Sequence, residues 1–290
     1  MKDLGKLKYF LGIEVARNDT GFYLSQCKYA LDIIAEAVLL GAKPCYVPLE
    51  LNHKLLEADE PLANAKQYRR LVGRLIYLTT TRPDLGYVVH ILSTFMQKPL
   101  LPHWEAALRV VRYLKGSPGQ GILLKANDPL QISAYCDSDW SSCPVSRRSL
   151  SAYIIFIGDS PVIWRAKKQD DVSLSSAEAE YRAMSVMVKE LKWLKELYES
   201  FTLSHPLPMR LYCDSKSAIH IASNPVFHER TKHIERDCHF VRDAYKAKRI
   251  SLEHVTSKNQ LADMLTKSLP RPMFEDLLSK LGMCNLTLPT

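Results

Sequence analysis

The sequence predicts an α/β chain. Its second half should form a mixed five-stranded sheet with flanking helices, and its first half a β-hairpin followed by a small helical region. Three observations carry this. After residue 130 the apolar patterns run as three strands, a long helix, a strand, helices, a strand and a helix, the order of a mixed sheet covered by helices. Two of those strands end alike, in Tyr135-Cys136-Asp137 and Tyr212-Cys213-Asp214. Between the halves, Ser117-Pro118-Gly119-Gln120-Gly121 is the clearest breaker cluster in the chain, and Asn127-Asp128-Pro129 follows it. The expected division is therefore 1–125, 126–268, and a C-terminal helix and tail over 269–290.

In the first part, residues 7–15 read as a strand, Asn18-Asp19-Thr20-Gly21 as a turn and 22–24 as the returning strand, making a hairpin. Helical spacing is expected over 28–39, through Tyr29, Leu31, Ile33 and Ile34. Pro44, Pro48 and Pro61 bracket an irregular connection. Residues 67–80 are helical, with Tyr68, Leu71, Val72, Leu75 and Ile76 on one side, and Gly73 there suggests close packing. Pro83 suits the first turn of the next helix, over 85–96. A third helix over 102–115 places Leu108, Val111 and Leu114 inside and Arg109, Arg112 and Lys115 outside.

In the second part, strands are expected at 132–136, 150–157, 161–166, 210–213 and 250–255. Helices are expected at 175–200, 216–223, 232–247, 260–267 and 272–281. Ser175 or Ser176 can cap the long helix, with Glu178 in its first turn near the positive end of the dipole.

Apolar residues make up 47% of the chain, enough for a sizeable core, so disorder is not expected. The net charge of +8 and the pI of about 9.0 favour a polyanionic partner, nucleic acid before acidic membrane. The seven cysteines are scattered, with no CxxC pair and no zinc-type spacing. Reduced thiols in an intracellular compartment fit them best. No apolar run reaches 18 residues, and no secretory leader is visible. The first residues read as an entry into the middle of a domain.

The chemistry lies in four acids on four separate elements: Asp137, an acid of the long helix, Asp214 and Asp263. Such a set is what a two-metal phosphodiester site needs. The long helix offers Glu178 and Glu180, which lie about 200° apart around the axis and cannot share a face. Glu178 falls in line with Arg182, Ser185, Lys189 and Lys192, a polar stripe. Glu180 falls in line with Met184, Met187, Val188, Leu191 and Leu194, the stripe that must pack on the sheet. A buried acid needs a partner, and a metal would serve, so Glu180 is preferred. Asp139 shares a strand face with Asp137 if the strand persists, and stays in reserve. Oxygen-only ligands suit Mg2+ or Mn2+ rather than zinc.

These residues resemble the ribonuclease H domain of copia-type LTR retrotransposon Pol polyproteins. The signatures are Asp137-Ser138-Asp139-Trp140, Cys143-Pro144 with Arg147-Arg148-Ser149, Leu174 to Tyr181, Asp214 to Ile219, Arg230-Thr231-Lys232-His233-Ile234 with His239-Phe240, and Leu261 to Lys267. The resemblance implies a ribonuclease H-like sheet, with Asp137, Glu180, Asp214 and Asp263 as catalytic and metal-binding acids. It implies Mg2+ (or Mn2+) as cofactor and endonucleolytic cleavage of the RNA strand of RNA–DNA hybrids. The implied partners are the hybrid and the remainder of the reverse transcriptase and Pol polyprotein, with no membrane. Expected locations are the cytoplasm, in virus-like particles, or the nucleus. Residues 1–125 resemble the end of a reverse transcriptase. Tyr9-Phe10-Leu11-Gly12 is similar to the primer-grip hairpin, and 68–84 to the thumb and connection. Neither the fingers nor most of the palm is represented, and no Tyr-x-Asp-Asp polymerase motif occurs.

Backbone contacts to the hybrid are expected from Arg147, Arg148, Lys167, Lys168, Arg230, Lys232 and His233. The chain departs from the family pattern in places. The loop 255–260 before the last acid has no histidine, and His254 falls in the strand. Val145 and Ala152 stand where the family usually has Asp and Gly. The unrepresented palm and the drifted positions at Val145 and Ala152 motivate a second reading, a non-catalytic nucleic-acid-binding remnant of a degenerate element.

Overall fold

The computed structural model describes residues 5–51, 53, 55, 60–126, 128–143, 146–224 and 235–285, the side chains of 235, 236 and 238 aside. The chain divides into two compact units, 1–127 with 268–290, and 128–267.

The first unit holds a five-stranded antiparallel sheet in the order β1 (Tyr9–Phe10), β2 (Ile13–Asn18), β3 (Gly21–Ser25), β4 (Gln120–Lys125) and β10 (Met283–Asn285). The β2–β3 turn is closed by Asn18, whose Oδ1 accepts from the backbone N–H of Thr20 at 3.0 Å and of Gly21 at 3.2 Å. Gly21 is required here. A Cβ on it would stand 2.0 Å from the Leu124 carbonyl oxygen, and its φ is +146°.

The helices α1 (Cys27–Glu36), α2 (Ala65–Leu78), α3 (Gly86–Thr94), α4 (Leu101–Gly116) and α8 (Arg271–Lys280) belong to the same unit. Tyr68, Val72, Leu75, Leu85, Leu92, Val110 and Leu114 are buried in it. Under the start of α3, the buried Arg82 pairs with Asp84 at 2.8 Å and donates to the Ser117 carbonyl at 2.9 Å. Asp84 also accepts from the Tyr113 hydroxyl at 2.7 Å. A buried charge needs such complete pairing.

The second unit, 128–267, is the mixed sheet that the strand pattern predicts. Its order is β7 (Ser160–Lys168), β6 (Leu150–Ile157), β5 (Ile132–Asp139), β8 (Met209–Cys213) and β9 (Ile250–His254). β5, β6 and β7 are antiparallel neighbours, and β8 and β9 continue parallel to β5. α5 (Ser176–Ser200), α6 (Lys216–Ser223) and α7 (Glu235–Lys246) complete it. α5 begins where Ser175 Oγ accepts the Glu178 N–H at 3.2 Å. Its apolar stripe of Met184, Met187, Leu191 and Leu194 shares one core with Ile132, Ala134, Cys136 and Leu211 of the central strands. Each fully buried aliphatic side chain there contributes about 1.5–3 kcal/mol. This core holds the strand ends and the first turn of α5 in register.

Four expectations are corrected. Residues 7–15 are not one strand, because Leu11 and Gly12, at φ +48° and +77°, turn the chain between β1 and β2. Gly73 permits no close contact within the unit, since a Cβ there would meet nothing within 4 Å. The segment 260–267 is not an α-helix but holds a short 3₁₀ turn, Leu261–Leu265, which follows another at Ser257–Asn259. All five residues of the second turn, Leu261–Leu265, are buried, so it has no solvent face. Finally, 269–290 is not a piece of its own. β10 pairs with β4, and Phe274, Leu277 and Leu281 are buried in the first unit.

Candidate metal centre

β5 and β8 run parallel with Tyr135 opposite Tyr212, so the acids two residues on, Asp137 and Asp214, leave the two strands at the same level. The buried turn Leu261–Leu265 delivers Asp263 to that level. One carboxylate oxygen from each of Asp137, Asp214 and Asp263 lies within 4.8 Å of the others. A second group overlaps the first. An oxygen of Glu180, the Cys213 sulfur and an oxygen of Asp214 also lie within 4.8 Å of one another. Asp214 thus joins the two groups. Asp139 continues β5 opposite Leu150 and is half-buried, outside both groups.

The acids are held by specific donors. Asp137 Oδ2 accepts from the Thr266 hydroxyl. Glu180 Oε1 accepts the Ser138 backbone N–H at 3.0 Å, and its Oε2 stands 3.8 Å from the Cys213 sulfur. Asp214 Oδ2 accepts the Ser257 hydroxyl at 3.1 Å. The Lys267 ammonium lies 2.9 Å from Asp263 Oδ1 and 3.8 Å from Asp137 Oδ2. Glu178 is buried too, although its helical phase suggested a polar stripe. It pairs with Arg182 at 2.9 Å and accepts the Leu174 N–H at 2.9 Å, so its charge is satisfied away from the centre.

Electrostatics follow from this crowding. Burial, then the neighbouring Asp137, Cys213 and Asp214, push Glu180 up to about 10. Burial and Asp137 push Asp263 up to about 7, against the pull of Lys267. Burial raises Asp137 as well, opposed by Lys267 and Thr266. Burial works against the charge of Lys267, yet Asp137 and Asp263 hold its pKa above the ordinary lysine value. One ammonium therefore leaves the cluster with surplus negative charge. A hard divalent cation fits this donor set: the oxygens of Asp137, Asp214 and Asp263 converge, with Glu180 beside Asp214. The Cys213 thiol is a soft donor and suits such an ion poorly.

The basic residues expected to track a nucleic-acid backbone are placed unevenly. Arg147 and Arg148 are exposed in the loop after β5, where Arg147 takes a φ of +55°. Lys167 is exposed and 3.2 Å from Asp170. Lys168 is half-buried, its ammonium 3.1 Å from the Cys143 sulfur. Arg230, Lys232 and His233 lie outside the described residues. Thr266 and Lys267 are site residues to which the sequence reading gave no role. For Lys267 the signal was the spacing, four residues after Asp263, whereas Thr266 reaches Asp137, 129 residues away, and no local spacing points to it.

The chain is 41% identical over 284 residues to the retrovirus-related Pol polyprotein of transposon RE1 from Arabidopsis thaliana, covering 98% of this chain and 19% of that one. It is 33% identical over 293 residues to the corresponding polyprotein of transposon TNT 1-94 from Nicotiana tabacum, covering 98% of this chain and 22% of that one. The chain belongs to the retrovirus-related Pol polyproteins of copia-type transposons. It spans about a fifth of the length of these Pol polyproteins. No family model matches it. Among solved structures, the N-terminal ribonuclease H domain of a Mycobacterium tuberculosis protein aligns with 52% of the chain at 13% identity and a TM-score of 0.34. The family's membership does not by itself place a role on any residue of the centre.

Proposed function

We propose that this chain cleaves the RNA strand of RNA–DNA hybrids endonucleolytically, as the ribonuclease H part of a retrotransposon Pol polyprotein. The observation that carries the reading is the meeting of Asp137, Asp214 and Asp263, from two parallel strand ends and a buried turn, with Glu180 against Asp214. In this reading the four acids would hold Mg2+ or Mn2+ as a two-metal site. The chemistry such ions supply is activation of the attacking water and stabilisation of charge on the scissile phosphate and the departing 3′ oxygen.

The rest is done by the chain. The Thr266 hydroxyl and the Ser138 N–H hold Asp137 and Glu180 in orientation, and the Ser257 hydroxyl holds Asp214. Lys267 offsets part of the acids' charge before the substrate arrives. Arg147, Arg148, Lys167 and Lys168, with Arg230, Lys232 and His233, would hold phosphates along the duplex, and 2′-hydroxyl contacts would select the RNA strand.

The test is cleavage of a labelled hybrid with and without Mg2+. Asp137→Asn should lower kcat about a thousand-fold, about 4 kcal/mol of barrier, while hybrid binding in EDTA stays within a factor of two or so. Wild-type protein that binds the hybrid and leaves it intact in Mg2+ overturns the reading. That outcome would support the second one, a binding remnant, which the histidine-free loop 255–260 favours.

A further inference from the structure

We propose that Gln169 is a positioning residue for the carboxylate centre, its side-chain amide tying the strand end that carries Asp137 to the helix turn that carries Glu180. What the centre does rests on the nuclease reading above; how Gln169 holds it does not.

Gln169 follows directly on β7 and is buried. A buried amide costs free energy unless its donors and acceptor are all used. Here they are. Nε2 donates to the Ala179 carbonyl at 2.9 Å and to Ser151 Oγ at 2.8 Å, with Ser138 Oγ at 3.3 Å. Oε1 accepts the Ser173 hydroxyl at 2.7 Å. Its own backbone N–H donates to the Ser149 carbonyl at 2.8 Å. One amide thus joins β5, β6, the loop before α5 and the first turn of α5.

Two of those contacts fall beside the centre. Ser138 follows Asp137, and its N–H is the donor that holds Glu180 Oε1. Ala179 precedes Glu180. The loop side is braced as well, because Ser173 accepts the Trp140 indole N–H at 2.9 Å on its carbonyl while donating its hydroxyl to Gln169. Glu180 keeps its carboxyl beside Asp214 through the Ser138 N–H, so the strand end and the helix turn must stay fixed against each other. Gln169 supplies the lateral stiffness that this needs. The chemistry also explains the residue type. Leucine fills the volume but makes none of the bonds. Glutamate keeps the shape but sets an acceptor against the Ala179 carbonyl.

The experiment compares the full chain with Gln169→Leu and Gln169→Glu by three readouts. The first is hydrogen exchange of the Ser138 amide in EDTA. The second is Mn2+ affinity by calorimetry. The third is steady-state hybrid cleavage. In both variants the Ser138 amide should exchange about ten-fold faster with the Leu211 and Leu252 amides unchanged, and Mn2+ should bind about ten-fold more weakly, the loss usual for groups that orient ligands. kcat should fall by a similar factor with KM for the hybrid unmoved. If Ser138 exchange and Mn2+ affinity stay within a factor of two or so, or if Ser138, Leu211 and Leu252 all speed up together, Gln169 is ordinary core and the inference fails. Wild-type protein that binds Mn2+ but leaves the hybrid uncut defeats the nuclease reading alone, and the exchange and affinity data then decide Gln169.

Discussion

Glu180 is a residue whose charge the fold resists. Burial and three neighbouring groups raise its pKa to about 10 in the metal-free protein, against about 4.3 for an unfolded glutamate. The folded state then holds a proton that the unfolded state releases, so stability is present in full below about pH 4 and is lost as pH rises toward 10. Asp263, at about 7, acts in the same direction over a narrower window. Glu180→Gln keeps the shape and removes the charge. In EDTA at pH 8 to 9 it should melt at least about 3 °C higher than the wild type, the shift that about 1 kcal/mol gives in a chain of this kind, while losing hybrid cleavage. With Mg2+ present the difference should shrink or reverse, because the ion compensates the wild-type charge and not the amide. A wild type that is the more stable of the two in EDTA at that pH would sink this account of the residue.

At the scale of the element, helical phase separated Glu180 from Glu178, because a rotation of about 200° sends two neighbouring acids to different surroundings. Phase could not show that Glu178 is buried as well, since its cover comes from the loop that supplies the Leu174 N–H and from Arg182. The strands β5 to β9 were legible because each has its own run of apolar residues, and Asp137 and Asp214 because each ends such a run. The turn Leu261–Leu265 was not. Every residue in it is buried, so there is no period to read, and its place is set by packing and by Gln260, which donates to the Cys136 carbonyl at 2.9 Å. A different limit applies to α2, whose period is clear but whose Gly73 does not reveal from sequence whether anything packs on it. The glycine faces open space on a helix interior. Gly73→Ala should therefore stabilise the first unit by about 0.5–1 kcal/mol, read in urea unfolding. A destabilising result would mean that something outside this chain's own fold approaches the helix there.

At the scale of the whole molecule, the chain leaves the first unit after residue 127 and returns to it at residue 268. No local pattern reveals that return, because the pairing of β10 with β4 joins Met283 to Ile122 across the whole second unit. The consequence is testable by deleting 268–290. The deletion removes an edge strand and the buried side chains of Phe274, Leu277 and Leu281, each contributing about 1.5–3 kcal/mol. Set against a typical total of about 5–15 kcal/mol, that loss should leave the first unit largely unfolded at 25 °C. The second unit keeps its sheet, its core and all four acids, since 128–267 contains every one of them. Tryptophan positions separate the two responses: Trp104 reports on the first unit, and Trp140, Trp164 and Trp193 on the second. Hydrogen exchange resolved by segment should show α2 to α4 losing protection while β5 to β9 retain it, with Mn2+ affinity unchanged within a factor of two or so. Equal loss in both units would mean that the second does not stand on its own core. The carboxylate centre would then depend on the first unit, contrary to what the sheet order and the packing of α5 imply.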